Sequence, residues 1–406
     1  MTIRLKYFYI LLFMINKISI AQVMSVSGWD VNGHDYLTVF INDGKISRIE
    51  KVNPPAAQDT RSFISPGLID TQVNGYVSVS FSNEGLTISG IKRVVETLLG
   101  EGVTTFFPTL VTGSPDITRK NLSILTDAIK DPFLAHIMPG FFLEGPYISP
   151  EDGFRGAHDK KWVRPPDWEE FMSFYNSAEG KIIQVGLAPE IPGAIEFIKK
   201  ASELGIVISL AHHNANAGII ENAILAGAKV STHLGNGCAN MIHRHDNPIW
   251  PQLADDRLVA SIIADGQHLN RYELNVFYRA KGPGHLMLVS DATELAGMPA
   301  GVYDSNGHNI IKTPEGKLIY PEQDVLAGAS LPVKNGIMNM ITQTGCKQEA
   351  AFRMATGIPA DVYGLNDRGK LEQGRWADLI LFSIKANEIV IEKTLVKGVT
   401  AYTKPD

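Results

Sequence analysis

Apolar residues recur along this chain with two periods that take turns. Ile91, Val94, Val95, Leu98 and Leu99 are spaced i, i+3, i+4, i+7 and i+8, which predicts a helix with a single apolar stripe. Gly100 and Gly102 end that helix, and residues 103–107 follow as a short β-rich run. Residues 195–204 repeat the plan: Gly205 stops the helix, and 206–210 is a continuous apolar run suited to a strand buried on both faces. Runs of this kind stand at 66–72, 103–107, 137–144, 182–188, 206–212, 229–233, 258–265 and 286–291. Eight strands alternating with helices are the number that closes an α/β barrel, the (β/α)8 TIM-like fold. The polar residues favour a barrel over an open sheet. Glu144, His212, His233, Asp265 and Asp291 all stand at the C-terminal ends of these runs, the rim where such barrels carry their chemistry.

Residues 22–65 and 336–406 do not share the alternation. Segments 38–41 and 45–50 flank Asn42-Asp43-Gly44, a hairpin signal, and 379–383 and 389–395 are similar in style. Both chain ends are therefore expected to build one small β-sandwich domain, with the barrel at 66–335 between them. No internal repeat and no low-complexity linker interrupts the sequence.

With 406 residues, 44% hydrophobic and 20% charged, the chain can bury a large core plus a satellite domain and is too apolar to be disordered. A net charge of -6 supplies no basic field for a phosphate backbone, so a small molecule is the expected partner and nucleic acid is not. Arg4 and Lys6 precede nine apolar residues, 7–15, and then Ser19-Ile20-Ala21, the pattern of a secretory signal peptide at 1–21. Nine apolar residues are too few to span a bilayer, and a core strand would not need the basic flank. Gln22 follows the expected cut, which favours a soluble periplasmic or secreted protein with no membrane span; without cleavage at that point, the cytoplasm is the expected location. Cys238 and Cys346 could pair in an oxidising compartment, yet a domain of this size does not need a disulfide.

Glu144, His212 and His233 are oxygen and nitrogen donors at the ends of three different strands. A rigid scaffold presents three ligands to a divalent metal in this way and leaves a coordination position open. An ion held there can polarise a carbonyl and acidify a water molecule. A Glu or His at a strand end is also commonly a hydrogen-bonded rim residue, and residue type alone does not choose between the two.

The surrounding motifs are Ser65-Pro66-Gly67-Leu68-Ile69-Asp70-Thr71-Gln72-Val73-Asn74-Gly75, Gly102-Val103-Thr104-Thr105-Phe106-Phe107-Pro108-Thr109-Leu110, Leu143-Glu144-Gly145-Pro146 and Gly156-Ala157-His158. Downstream come Ala211-His212-His213-Asn214-Ala215, Thr232-His233-Leu234, Ala264-Asp265-Gly266-Gln267-His268, Val289-Ser290-Asp291-Ala292 and Gly374-Arg375-Trp376-Ala377-Asp378-Leu379. In this order they resemble the N-acetylglucosamine-6-phosphate deacetylases of the metal-dependent amidohydrolase superfamily, from about residue 64 to the C-terminus. The resemblance implies that Glu144, His212 and His233 hold one divalent ion, zinc, and that Asp70-Thr71-Gln72 replaces the His-x-His pair that often holds a second ion. It implies hydrolysis of the N-acetyl group of an amino sugar, with metal-bound water as nucleophile. Asp291 is then general base toward that water and general acid toward the departing amine, which needs a carboxylate within hydrogen-bond reach of both. His158 is implied beside the scissile carbonyl as an oxyanion donor. Asn236 and Gly237 are implied to contact the sugar, and His268 and Arg244 its 6-phosphate, the arginine reaching across from a neighbouring subunit of a homodimer.

Three features depart from that pattern. His213 stands where the family has a serine, so two histidines adjoin at the rim and register selects His212. Segments 235–240 and 243–250 are unlike the usual family text. An export signal is the third, because phosphosugars are scarce outside the cytoplasm; an exported relative would act on a non-phosphorylated N-acyl sugar. Arg244 with His243 and His245 could equally meet a carboxylate or sulfate. Two other readings stand beside the deacetylase: an amidohydrolase for N-acyl amino acids or cyclic amides, and a catalytically inactive sugar-binding protein.

Overall fold

The computed structural model describes residues 24–56, 61–305, 308–321, 325–326 and 328–405. The leader read at 1–21 lies outside them. Eight parallel strands run in chain order around one sheet: Leu68–Val73, Val103–Val111, Phe141–Glu144, Ile182–Leu187, Val207–Leu210, Ala228–Ser231, Val259–Ile262 and Leu286–Leu288. The eighth returns to the first. Asp291 N–H donates to the Gln72 carbonyl at 3.0 Å, Val73 bridges Ala292 in parallel, and Ser290 N–H donates to the buried Asp70 carboxylate at 3.1 Å. The ring is thus nearly closed, as the alternation of periods predicts.

Between strands the helices follow from their apolar stripes. Thr87 caps the helix Ile88–Gly100 by accepting from the Gly90 N–H, and Ile91, Val94, Val95, Leu98 and Leu99 are all buried. Each such side chain contributes roughly 1.5–3 kcal/mol by leaving water, so the stripe and not helix propensity holds the element down. The second strand runs on to Val111, past the Pro108 at which a strand is expected to stop. Pairing with the first strand slips between Asp70 and Val73, and the Thr109 hydroxyl accepts the Val73 N–H at 3.1 Å. A side chain thereby satisfies a donor beside the proline.

Both chain ends meet in a separate seven-stranded sheet ordered Val399–Thr403, Glu388–Val396, Leu379–Lys385, Phe63–Pro66, Met24–Trp29, Tyr36–Asn42 and Lys45–Lys51. The Asn42-Asp43-Gly44 hairpin forms with Asp43 and Gly44 at φ of 50° and 75°. Val39, Ile41, Ile46, Ile64, Leu379 and Leu395 from both halves share one small core. Residues 336–362 differ from the strand-like reading of the segment 336–406. They belong to the helices Val333–Thr344, Gln348–Arg353 and Gly357–Val362, whose Ile337, Met340, Phe352 and Ile358 enter the barrel core. Val333, Ile337 and Met340 sit at i, i+4 and i+7, a helical stripe. The reading also lacked the small antiparallel sheet of Gly301–Ser305, His308–Lys312, Leu318–Tyr320 and Val325–Leu326, which follows the eighth strand. No helix among the described residues is long and apolar enough to cross a membrane. Cys238 and Cys346 are free thiols.

Candidate active site

The strand ladders end earlier than the apolar runs, and the reason lies in the backbone of the rim residues. His212, His233 and Asp291 adopt φ of 50°, 30° and 52°, the left-handed region that ends a strand and costs a non-glycine residue on the order of 1–3 kcal/mol. Each stands two or three residues beyond its strand, while Glu144 is the last residue of the third. The bend turns the side chains inward over the barrel mouth.

One oxygen of Glu144 and one ring nitrogen from each of His212 and His233 lie within 4.8 Å of one another, all three residues buried. Glu144 Oε1 is 2.9 Å from His233 Nε2 and 3.4 Å from His212 Nε2. His212 Nδ1–H donates to the Phe154 carbonyl at 2.9 Å, which leaves the Nε2 lone pair aimed at the carboxylate. A lone pair and an anion brought this close call for a cation between them. Burial alone would push the Glu144 carboxyl up, but the two imidazoles hold it well below the usual carboxylate range. Burial likewise opposes charge on His233, yet its bond to Glu144 raises it. His233 Nδ1 is buried without a hydrogen-bond partner. The oxygen and nitrogen donors fit one divalent ion of the borderline class, with coordination left over.

Asp291 joins this group through amides. Gln72 Nε2 donates to Glu144 Oε2 at 3.2 Å and to Asp291 Oδ1 at 3.0 Å, and Asn74 Nδ2 donates to the same Oδ1 at 2.6 Å. Oδ1 is thereby held, and Oδ2 is left to exchange a proton. Burial, and then the charge of Glu144, push the Asp291 carboxyl up to about 6. His158 stands against His212 with ring centroids 4.4 Å apart, and its Nδ1 is 2.8 Å from the Thr112 hydroxyl. Burial, followed by the neighbouring His212, pushes the His158 ring down to about 3.

The other residues singled out in the sequence spread along the mouth. Asn236 N–H donates to the His233 carbonyl at 2.9 Å, and its amide nitrogen is buried without a partner. Gly237 packs so tightly that a Cβ there would sit 3.0 Å from His212 N and 3.1 Å from His233 Cε1. His268 bonds Asp265 at 2.8 Å. Arg244 is exposed on the loop that Asn247 organises, with its carbonyl accepting from Trp250 Nε1. His213 turns away from the trio: it is buried beside Gln252 and pushed down to about 4 by that burial. Asn74 and Thr112 carried no assigned role in the sequence reading. Asn74 had a usable signal, since it lies two residues after Gln72 and so shares its face of an extended chain; Thr112 had none.

Gly156 ties the loop 153–158 to the trio. Its φ is 58°, and a Cβ at this position would lie 2.9 Å from His212 Cε1. We expect Gly156→Ala to displace His212 from the Phe154 carbonyl and weaken divalent-ion affinity by about ten- to a hundredfold, the usual effect of disturbing a ligand's support. Titration calorimetry with the metal-free protein checks this, and unchanged affinity would show that the loop does not hold His212.

Residues 63–401 match the amidohydrolase family. An N-acetylglucosamine-6-phosphate deacetylase of Caenorhabditis elegans is 33% identical over 396 residues, covering 93% of this chain and 91% of its own. The enzyme of that name from Bacillus subtilis is 30% identical over 379 residues, covering 90% and 92%. Among solved structures, a mutant N-acetyl-D-glucosamine-6-phosphate deacetylase from Mycobacterium smegmatis, in complex with N-acetyl-D-glucosamine-6-phosphate, superimposes with a TM-score of 0.83. It is 26% identical, with 94% of this chain and 100% of that one covered.

Proposed function

Because the chain belongs to the N-acetylglucosamine-6-phosphate deacetylase family of amidohydrolases, we propose that it hydrolyses the N-acetyl group of an amino sugar, giving acetate and the free amine. The observation that carries the reading is the convergence of Glu144, His212 and His233, with Asp291 linked to the same cluster through Gln72. These three residues would hold the divalent ion, for which zinc is our assignment; when bound, it polarises the amide carbonyl and acidifies water.

Asp291 Oδ2 removes a proton from the attacking water and delivers it to the departing nitrogen. Its ionised form is the one required first, and its raised pKa places that requirement near neutral pH. His158 donates to the oxygen on which negative charge develops. The tight approach of Gly237 and the unpartnered amide of Asn236 support contacts to the sugar ring. Arg244 and His268 are our assignment for an anionic group at the far end of the substrate, with Arg244 contributed across a homodimer. The exposure of Arg244 supports that arrangement. The leader 1–21 supports export, and with it a substrate lacking phosphate.

A single panel tests the reading. Acetate release is measured from N-acetylglucosamine 6-phosphate, N-acetylglucosamine and a set of N-acetyl amino acids. The amino sugars are expected to exceed the amino acids in kcat/KM by at least about a hundredfold, because polar groups built to meet sugar hydroxyls stay unpaired with other substrates. Equal or reversed preference would move the enzyme to N-acyl amino acids. The two sugars together reveal whether Arg244 and His268 bind phosphate.

A further inference from the structure

The geometry points to Thr112 as the positioning residue that fixes the proton of His158 on Nε2. This rests on the reading of His158 as the donor to the developing oxyanion. A neutral imidazole carries one N–H, and only the tautomer protonated at Nε2 can donate from the nitrogen opposite Thr112. The ring is buried and packs edge-on against His212, surroundings that favour the neutral form. Its tautomer is then set by whatever Nδ1 meets.

Nδ1 meets a hydroxyl at 2.8 Å, which can give or take a hydrogen bond. The hydroxyl's own proton decides the direction. Thr112 is buried at the end of the second strand, and among the described residues His158 Nδ1 is the only group hydrogen-bonded to its hydroxyl. If Thr112 donates, both groups are satisfied. If it instead accepts from Nδ1–H, a buried O–H keeps no acceptor, which costs about 1–3 kcal/mol. That difference biases the ring by about five- to a hundred-and-fiftyfold toward Nε2–H. Gly145 leaves the room this hydroxyl occupies, since a Cβ there would come within 2.3 Å of Thr112 Oγ1. The strand end, the glycine and the imidazole therefore form one device for aiming a proton.

The experiment uses the zinc-loaded full chain with 15N-labelled histidine. Long-range proton–nitrogen spectra report which ring nitrogen of His158 bears hydrogen, the signal being assigned by its loss in His158→Asn. In the parent protein, Nε2 is expected to be protonated and Nδ1 bare. Thr112→Val should move the ring toward Nδ1–H and lower kcat by about ten- to a hundredfold with KM and metal content retained. Thr112→Ser, which keeps the hydroxyl, should restore the parent spectrum and most of the rate. A parent spectrum with hydrogen on Nδ1 overturns the inference without recourse to any variant, and so does Thr112→Val with undiminished kcat. Near-normal turnover of His158→Asn would instead remove the reading of His158 on which the inference rests, a result separable from the tautomer itself.

Discussion

Asp291→Asn is expected to keep its divalent ion and lose at least about a hundredfold in kcat. The carboxylate sits 3.0 Å from Gln72 Nε2 and 2.6 Å from Asn74 Nδ2, both on Oδ1, so the amide oxygen of asparagine can keep both bonds while its NH2 group cannot accept a proton at the free position. Glu144, His212 and His233 are untouched, and metal analysis should return the parent stoichiometry. The pH profile supplies a second readout. Burial, and then Glu144, raise the Asp291 carboxyl to about 6, so the competent anion prevails above that pH and is lost below it. The parent enzyme should show kcat/KM falling about tenfold per unit on the acid side of pH 6, and the residual activity of the variant should lack that limb. A variant with near-normal turnover would take Asp291 out of the mechanism.

Glu144→Ala should act through a different route. This carboxylate is buried between two imidazole nitrogens at 2.9 and 3.4 Å and is the cluster's only anion, so its removal leaves two neutral donors with no charge to hold a dication. The ion is expected to be absent after purification, and turnover should drop by at least about a thousandfold, the equivalent of several kcal/mol of lost Lewis acidity. Circular dichroism separates this from unfolding: the strands around Glu144 pair through their backbones and should remain. A folded variant that still carries stoichiometric metal would place the ion elsewhere.

The barrel was legible because its strands are buried on both faces and read as continuous apolar runs, while its helices are buried on one and read as stripes. The ends of those runs were less legible. Residues 211–212 and 289–291 look like strand in composition, but His212 and Asp291 take positive φ, a backbone conformation that composition does not mark. The metal trio could be proposed from strand-end position and motif together. Asn74 carried only the weaker signal of sharing a face with Gln72, and Thr112 carried none, since its role is a contact with His158, 46 positions away, that no motif marks. The sheet at 301–326 was missed for a plainer reason: it packs a small separate cluster of Leu295, Ile310, Leu318 and Tyr320 rather than the barrel core, so it adds no run to the alternation.

Gln72 and Asp291 lie 219 positions apart, yet they meet where the eighth strand comes back to the first. A chain still emerging from the ribosome can have synthesised Glu144, His212 and His233 long before the joint exists. Such a nascent chain could capture an ion but not a working acid–base group, and would stay hydrolytically silent until the circle is fastened.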